Sequence, residues 1–348
     1  HTPDNNPLLG PTAGVENFWQ CCGSAIGVAQ GAGCGKYLAQ WMIEGDSEIN
    51  MAGLDPRRFG GHAPGAYCKA KAHLDYEHMY ILHLPGEERP AARKTRVTPL
   101  YDRLLEQGCV YTEANGWDRP KWFSLDGREE APGFRHNNVF SVVAEECRAV
   151  AERVGIMDLS SFAKYEVNGP GAEAFLSRVL ANKLPKRDGG ITLAHFLGEN
   201  GRIRGEVTAT RLDAERFYLL SGAGAEDADM DHLIQRIAPG EDVTVSNVTE
   251  DWGVLVVAGP KSRELLAPLT EASLENDAFR WLTGQEVTLA GVPLRALRVN
   301  YVGELGWELH CPMDRLAEVY EALWDAGQSL GIANFGAYAV NALRMEKA

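Results

Sequence analysis

Hydrophobic and polar positions in the first third of the chain predict one strand and two helices. The apolar run that begins at Phe18 leads into a stretch of small residues and then into a segment whose apolar side chains share one helical face. This order predicts a strand, a glycine-rich loop and a helix that ends at Gly45. Farther along, Thr98 is a typical N-cap, Pro99 suits a first helical position and Gly108 is a typical helix end. A short helix with its own capping residues is therefore predicted there.

The rest of the chain predicts a mixture of helices and strands, and hence an α+β fold. A polar stretch at residues 124–137, with two glycines and a proline, predicts a linker. Helical spacing follows at about 142–154 and 169–181, and again in the segment that contains Leu316 and Trp324. Strand patterns cover 207–211, 217–220 and 252–258, and a hairpin over 286–300 is predicted to turn at 290–293.

The amino-acid composition argues against several classes of binding partner and structural site. The 348 residues carry 34 basic and 48 acidic side chains, a net charge of −14, and contain no run dense in Lys and Arg. Because nucleic acids are bound through clustered basic residues, nucleic acid is not an expected partner. No stretch of about 18 apolar residues is free of charge, which argues against a membrane span. The seven cysteines are scattered and form no CxxC pair, which favours a reducing compartment over a disulfide framework or a zinc site.

Both ends suggest a part of a longer protein. The chain starts at His1 without a methionine or a signal-peptide pattern, and it stops at Ala348 inside a helical pattern that has no glycine cap. We therefore expect further sequence beyond the residues given.

Two patterns indicate cofactor or metal chemistry only weakly. The glycines between residues 27 and 35 allow a close approach, but their spacing matches neither a phosphate-binding loop nor the dinucleotide fingerprint. Tight helix packing and nucleotide contact both remain open interpretations of that segment. His73, His78 and His83 recur at steps of five, which places them on one face of neither a helix nor a strand, so no metal site is predicted.

Six segments in order resemble one enzyme family. They are residues 55–59, 98–104, 116–123, 158–164, 168–172 and 301–309. In series they resemble the flavin-dependent dimethylglycine and sarcosine dehydrogenases. Those chains join a glycine-oxidase-like FAD domain to a folate-binding domain similar to the aminomethyltransferase of the glycine cleavage system. The resemblance spans nearly the whole chain.

The resemblance implies three parts. Residues 1–60 are similar to the C-terminal segment of the FAD domain, 61–133 to its central connecting domain, and 134–348 to the aminomethyltransferase-like folate-binding domain without the family's C-terminal barrel. No dinucleotide fingerprint lies between a strand and a helix here. The remaining part of the flavin domain is therefore expected in cis or in trans.

The resemblance also places a loop against the flavin. It implies that backbone amides of this loop and the start of the following helix face the pyrimidine oxygen of FAD, favouring the negative charge that develops on hydride uptake. Structural packing is the alternative. The loop consists of Cys22, Gly23, Ser24, Ala25, Ile26 and Gly27.

Four residues are implied at the folate site. Glu206 lies where aminomethyltransferases keep a catalytic Asp, which makes it the acid/base candidate, although an exposed carboxylate at a strand start is the alternative. Glu308 resembles the glutamate that binds the pterin, and Tyr301 is the expected ring-edge contact. Glu304 lies in the turn between them, where capping of the loop competes with folate contact.

The implied reaction has two halves. FAD removes a hydride from an N-methyl group of dimethylglycine or sarcosine, and tetrahydrofolate captures the carbon as 5,10-methylenetetrahydrofolate. Two alternatives stay open: a folate-dependent aminomethyl- or methyltransferase without flavin chemistry, and a non-catalytic folate-binding module. Val340 stands where free aminomethyltransferases carry an arginine, which argues against the transferase.

The resemblance implies small partners and a soluble compartment. A small N-methyl amine and folate are the expected ligands, and an electron-transfer protein or oxygen is the expected electron acceptor. The expected location is the bacterial cytoplasm or the mitochondrial matrix.

Overall fold

The computed structural model describes residues 1–347. Its first part contains a hairpin of β1 (Leu8–Pro11) and β2 (Trp19–Cys22), followed by helix α1 (Val28–Glu44) and helix α2 (Gly65–Glu77). The predicted order of strand, loop and helix is confirmed. Gly45 ends α1 with a φ of 73°, a left-handed conformation that glycine adopts without a Cβ penalty. Trp41 of α1 packs against Leu9 of β1.

The helix predicted from Thr98 is shorter than expected. Helix α3 (Tyr101–Glu106) is followed by the hairpin of β3 (Cys109–Ala114) and β4 (Trp117–Phe123). Residues 98–100 form a turn instead of a helical start, because the Tyr101 N–H donates to the carbonyl of Thr98 at 3.0 Å. The Thr98 hydroxyl accepts from the Leu100 N–H at 3.3 Å, so it caps this turn. Residues 124–139 contain no helix or strand, as the linker prediction required.

The remaining elements alternate between helices and strands, which confirms the predicted α+β class. The helix predicted at 169–181 is shorter and spans Ala172–Val179, and the other predicted helices and strands lie within a few residues of their expected places. In chain order the elements are α4 (Phe140–Glu152), β5 (Val154–Asp158), β6 (Ala163–Asn168), α5 (Ala172–Val179), β7 (Ile191–Leu197), β8 (Ile203–Arg211), β9 (Arg216–Ser221), α6 (Glu226–Ile234), β10 (Thr244–Asn247), β11 (Trp252–Ala258), α7 (Ser262–Leu266), β12 (Gly284–Leu289), β13 (Val292–Leu297), β14 (Gly306–Pro312), α8 (Leu316–Gly327), β15 (Ile332–Asn334) and α9 (Ala337–Glu346).

Two sheets organise these elements. The five-stranded sheet has the order β10-β6-β9-β8-β7, and all of its pairs are antiparallel. The six-stranded sheet has the order β12-β13-β14-β11-β5-β15, in which the β15–β5 pair alone is parallel. No helix within residues 1–347 is long and apolar enough to cross a membrane.

The two sheets face each other across part of their surfaces. Side chains alternate between the faces of a strand. Phe217 and Leu219 of β9 therefore pack under α5 and α6, whereas Tyr218 and Leu220 point the other way. They meet Leu297 of β13, which belongs to the other sheet. We call this facing surface the inter-sheet groove. Thr210 of β8 pairs with Tyr218, and the Tyr218 hydroxyl lies 3.1 Å from His310 of β14 across the groove.

Candidate functional site

The loop predicted to face the flavin joins β2 to α1 and lies at the surface. Cys22, Ile26 and Gly27 are exposed, and the three residues between Cys22 and Ile26 are half-buried. Gly27 precedes α1 with a φ of 61°, and no side chain caps the helix start. The first amides of α1 are therefore left without a side-chain acceptor, which is the arrangement an anionic or carbonyl oxygen can use.

The glycines of α1 do not pack tightly against other groups. A Cβ added at Gly31, Gly33 or Gly35 would meet nothing within 4 Å in the part of the chain that the structure describes. The tight-packing interpretation of these glycines is therefore wrong for residues 1–347. Val28, at the start of the helix, is 98% exposed. The α1 surface next to the loop is open, which fits the close approach of a further group.

Glu206 lies on β8, on the strand face that is turned toward the other sheet. It shares a strand face with Thr208 and Thr210, which are two and four residues farther along. Its cross-strand partner is His195 of β7, and the His195 Nε2 lies 3.4 Å from the Glu206 Oε2. The Glu206 side chain is 58% exposed. The carboxylate is therefore accessible to a ligand and has an imidazole beside it.

Glu308 lies on the opposite wall, on β14. It is registered with Leu297 of β13, and its side chain is only 15% exposed. Leu297 and Thr210 together line a cavity of about 170 Å³ between the sheets. Neither Glu206 nor Glu308 lines this cavity, whose walls also include Gly189, Arg216 and Glu286. Strand alternation places Glu206 and Glu308 on the inter-sheet faces of different sheets.

Tyr301 and Glu304 belong to the loop that connects β13 to β14. Tyr301 is exposed, and its Oη accepts a hydrogen bond from the Arg344 Nη1 of α9 at 2.8 Å. The side-chain hydrogen bonds that hold this loop come from Asn300, and the role of Glu304 stays a prediction. The Asn300 Nδ2 donates to the Glu304 carbonyl at 2.5 Å, and the Asn300 Oδ1 accepts from the Val302 N–H at 2.9 Å.

The three histidines with a step of five do not come together as a set. His73 is exposed on α2, and the His78 Nδ1 lies 2.8 Å from the Leu74 carbonyl oxygen. The His83 Nε2 instead lies 2.5 Å from an Arg89 nitrogen. Residues 1–347 hold no group of three or more His, Cys, Asp or Glu side chains arranged to bind a metal ion.

Comparison with known proteins identifies the architecture. The sequence profile of the GCVT N-terminal domain matches residues 100–348, which is most of the chain. The chain belongs to the GCVT N-terminal domain family. A second profile, that of the FAD dependent oxidoreductase central domain, matches residues 44–98.

Related enzymes match this GCVT-domain chain over its length. The mitochondrial dimethylglycine dehydrogenase of Rattus norvegicus is 38% identical over 352 residues, which cover 100% of this chain and 41% of the relative. The mitochondrial sarcosine dehydrogenase of Mus musculus is 29% identical over 389 residues, which cover 99% of this chain and 42% of the relative. The chain thus spans about two fifths of the length of these curated relatives.

A solved structure confirms the aminomethyltransferase-like architecture. The glycine cleavage system aminomethyltransferase T from Bartonella henselae superposes with a TM-score of 0.60 at 25% identity. The match covers 72% of this chain and 62% of that one. The paired sheets of the GCVT-domain chain are therefore an aminomethyltransferase-like arrangement.

The structure adds a buried polar cluster to the GCVT-domain groove that the sequence did not single out. His310 follows Glu308 by two residues and is fully buried. Its Nε2 lies 3.4 Å from the Glu308 Oε2, and its Nδ1 lies 3.1 Å from the Tyr218 Oη of the facing sheet. The strand pattern of β14 could have indicated this cluster, because side chains two residues apart in a strand lie on the same face, as residues 308 and 310 do.

Arg295 completes this cluster. The Arg295 Nη2 donates to the Glu166 Oε1 at 2.7 Å, and the guanidinium carbon lies 4.1 Å from the ring centroid of Trp252 and 4.8 Å from that of Tyr218. Stacking between aromatic rings is a common way of holding a buried arginine. The cluster therefore fixes the side chains next to Glu308, whereas Glu206 on the other wall remains half-solvated.

Proposed function

We propose that this GCVT-domain chain provides the folate site and part of the flavin site of an enzyme that demethylates dimethylglycine or sarcosine oxidatively. The observation that supports the proposal is the strand register, which puts Glu206 and Glu308 on the inter-sheet faces of the two sheets. One carboxylate is accessible and one is nearly buried, as a proton-transfer group and a ligand-binding group require. The similarity to dimethylglycine and sarcosine dehydrogenases supports the reaction class.

Each wall of the groove has a separate role in this proposal. The Glu308 carboxylate accepts hydrogen bonds from the pterin amino group and N3–H, and Tyr301 contacts the edge of the ring. The Glu206 carboxylate takes and returns protons at folate N5 and N10. Its half-exposed position leaves it accessible to those atoms.

The flavin loop has a positioning role in the proposal. Bound FAD would supply the hydride acceptor, and tetrahydrofolate would supply the acceptor for the one-carbon unit. The loop from Cys22 to Gly27 and the uncapped start of α1 present backbone N–H groups and the positive end of the helix dipole to the flavin ring. The open glycine surface of α1 leaves room for the rest of the flavin domain.

The test compares single alanine variants in the intact protein. Glu206→Ala should reduce formation of 5,10-methylenetetrahydrofolate by about 100-fold or more, the usual contribution of a general acid/base. Tetrahydrofolate affinity and the rate of flavin reduction by dimethylglycine should change much less than product formation, because the proposal assigns pterin binding to Glu308 and flavin contact to the loop from Cys22 to Gly27. Unchanged product formation in Glu206→Ala would refute its acid/base role.

A second variant tests the binding wall. Glu308→Ala should weaken tetrahydrofolate binding by about 1 to 3 kcal/mol, since buried pterin donors would lose their acceptor. Glu271→Ala is the control, because Glu271 is exposed and lies outside the helices and strands, and it should bind folate like the parent. An unchanged dissociation constant in Glu308→Ala would remove Glu308 from the site.

A folate-dependent transferase without flavin chemistry is the second candidate. The structural similarity to an aminomethyltransferase favours it, because that similarity covers most of the chain. Absorbance of the intact protein between about 350 and 500 nm separates the two, since bound flavin absorbs there and folate-only transferases do not. A colourless, folate-binding protein would support the transferase, or a binding module if Glu206→Ala has no effect.

A further inference from the structure

His310 lies between the two sheets at the base of the groove. Its side chain is fully buried, and each ring nitrogen has one polar neighbour. The Nδ1 lies 3.1 Å from the hydroxyl of Tyr218, and the Nε2 lies 3.4 Å from a carboxylate oxygen of Glu308. The imidazole therefore links the facing sheet to the predicted pterin-binding carboxylate.

The surroundings determine which ring nitrogen carries the proton. Burial lowers the pKa of His310, and the nearby charges of Lys164 and Arg295 lower it further against the opposing effect of Glu308. The ring is therefore neutral near pH 7. Burial raises the pKa of Tyr218, with Arg295 opposing this shift and Glu166 and Glu308 adding to it, so the phenol keeps its proton.

A neutral imidazole has one donor nitrogen and one acceptor nitrogen. Ionised Glu308 can only accept, so the nitrogen beside it must be the donor. The Tyr218 hydroxyl then donates to Nδ1, and Nε2–H donates to Glu308. This chain of two hydrogen bonds satisfies every member, and it occupies one carboxylate oxygen of Glu308 while leaving the other for a ligand.

We infer that His310 is a positioning residue for folate, held in its Nε2–H form by Tyr218 so that Glu308 presents its free oxygen to the pterin. The inference rests on the proposed folate function of the groove. Its physical basis is preorganisation, because a carboxylate already fixed in direction loses less conformational freedom when the ligand binds.

The test uses two amides that differ in reach. Glutamine at 310 can place an amide N–H near the position of the imidazole Nε2, whereas asparagine reaches only the position of Nδ1. In the intact protein, His310→Gln should keep the tetrahydrofolate dissociation constant within about threefold, and His310→Asn should raise it about tenfold. Tyr218→Phe should also weaken binding, since it removes the proton that fixes the ring form.

Tyr165→Phe is the matched control for Tyr218→Phe. Tyr165 is buried in the same sheet but points to the opposite face, where its hydroxyl donates to the Glu226 carbonyl at 2.8 Å. Tyr165→Phe should remove this buried hydrogen bond without changing folate affinity. Equal folate affinity in His310→Gln and His310→Asn, whether normal or reduced, would overturn the positioning role.

A measurement on the parent protein tests the inference even if the variants fold poorly. Nitrogen-15 spectra of histidine-labelled parent protein distinguish the Nε2–H form of a neutral imidazole from the Nδ1–H form. The inference expects the Nε2–H form at His310, and the Nδ1–H form would overturn it. If the parent protein and Glu308→Ala bind folate equally weakly, the proposed function itself fails. That outcome differs from equal folate affinities of His310→Gln and His310→Asn, which would overturn only the positioning role.

Discussion

Lys164 provides the sharpest test of the electrostatics beneath the groove. The residue lies on β6, is fully buried, and donates from Nζ to the Ser160 carbonyl at 2.7 Å. No carboxylate oxygen within residues 1–347 forms an ion pair with it at 4 Å or less. Burial lowers the pKa of Lys164 from 10.5 to about 7, although the charges of Asp158 and Glu226 oppose the shift.

The lowered pKa makes stability depend on pH in a defined window. Between pH 7 and 10.5 the unfolded chain binds a proton at Lys164 that the folded chain does not, so stability must rise with pH. One pKa unit corresponds to about 1.4 kcal/mol. The parent should therefore gain about 1.4 kcal/mol relative to Lys164→Met for each pH unit between about pH 7.5 and 10.

Urea unfolding of the parent and Lys164→Met at several pH values measures this gain. Methionine has a similar length and no charge, so Lys164→Met removes the titration and keeps most of the packing. Lys186→Met is the control for the loss of one positive charge, because Lys186 is exposed. A constant difference between the parent and Lys164→Met across this window would show that Lys164 stays charged when folded and would refute the reasoning.

Two further changes test the packing. In the 348-residue chain, Gly33→Ala should raise the urea midpoint by the equivalent of about 0.5 to 1 kcal/mol, because alanine is the better helix former and the space beside Gly33 is open. Gly155→Ala should lower the midpoint, since a Cβ there would lie 2.6 Å from Val150. Glu226→Ala should cost about 3 to 5 kcal/mol, because it removes the buried carboxylate that pairs with Arg96. Glu250→Ala removes only an exposed partner of the same arginine and should cost less than about 1 kcal/mol. A lower midpoint in Gly33→Ala, or equal losses in the two glutamate variants, would contradict these assignments.

Features set by neighbouring residues could be predicted from the sequence. The hairpin over 286–300 turns at Ala290 and Gly291, whose φ values of 50° and 79° are the left-handed pair that a tight two-residue turn requires. Gly45 ends α1 for the same local reason. The strand at 252–258 was also found at its full length, because a continuous apolar run bounded by polar residues has few other folds available.

Features set by packing between distant elements could not be predicted in this way. Glu304 and Asn300 both lie in the loop before β14, and only the folded loop shows that the amide of Asn300 bridges it. Tyr218 and His310 are 92 residues apart, and their contact depends on how the two sheets meet. The strand pattern of the sequence puts Glu308 and His310 on one face, but it does not show which residues of the other sheet lie opposite them.

The two predicted carboxylates also differ in how far packing fixes them, and this difference suits different roles. Glu308 is held by His310 on a central strand, and its side chain is 15% exposed, so its direction is set before any ligand arrives. Glu206 is 58% exposed on the strand next to the sheet edge, with His195 as its side-chain neighbour. A fixed carboxylate suits recognition of a flat ring, whereas proton transfer needs a group that a bound ligand can cover and shield from water. Folate binding should therefore depend on the rigidity of the Glu308 wall, and turnover on how fully the ligand closes over Glu206.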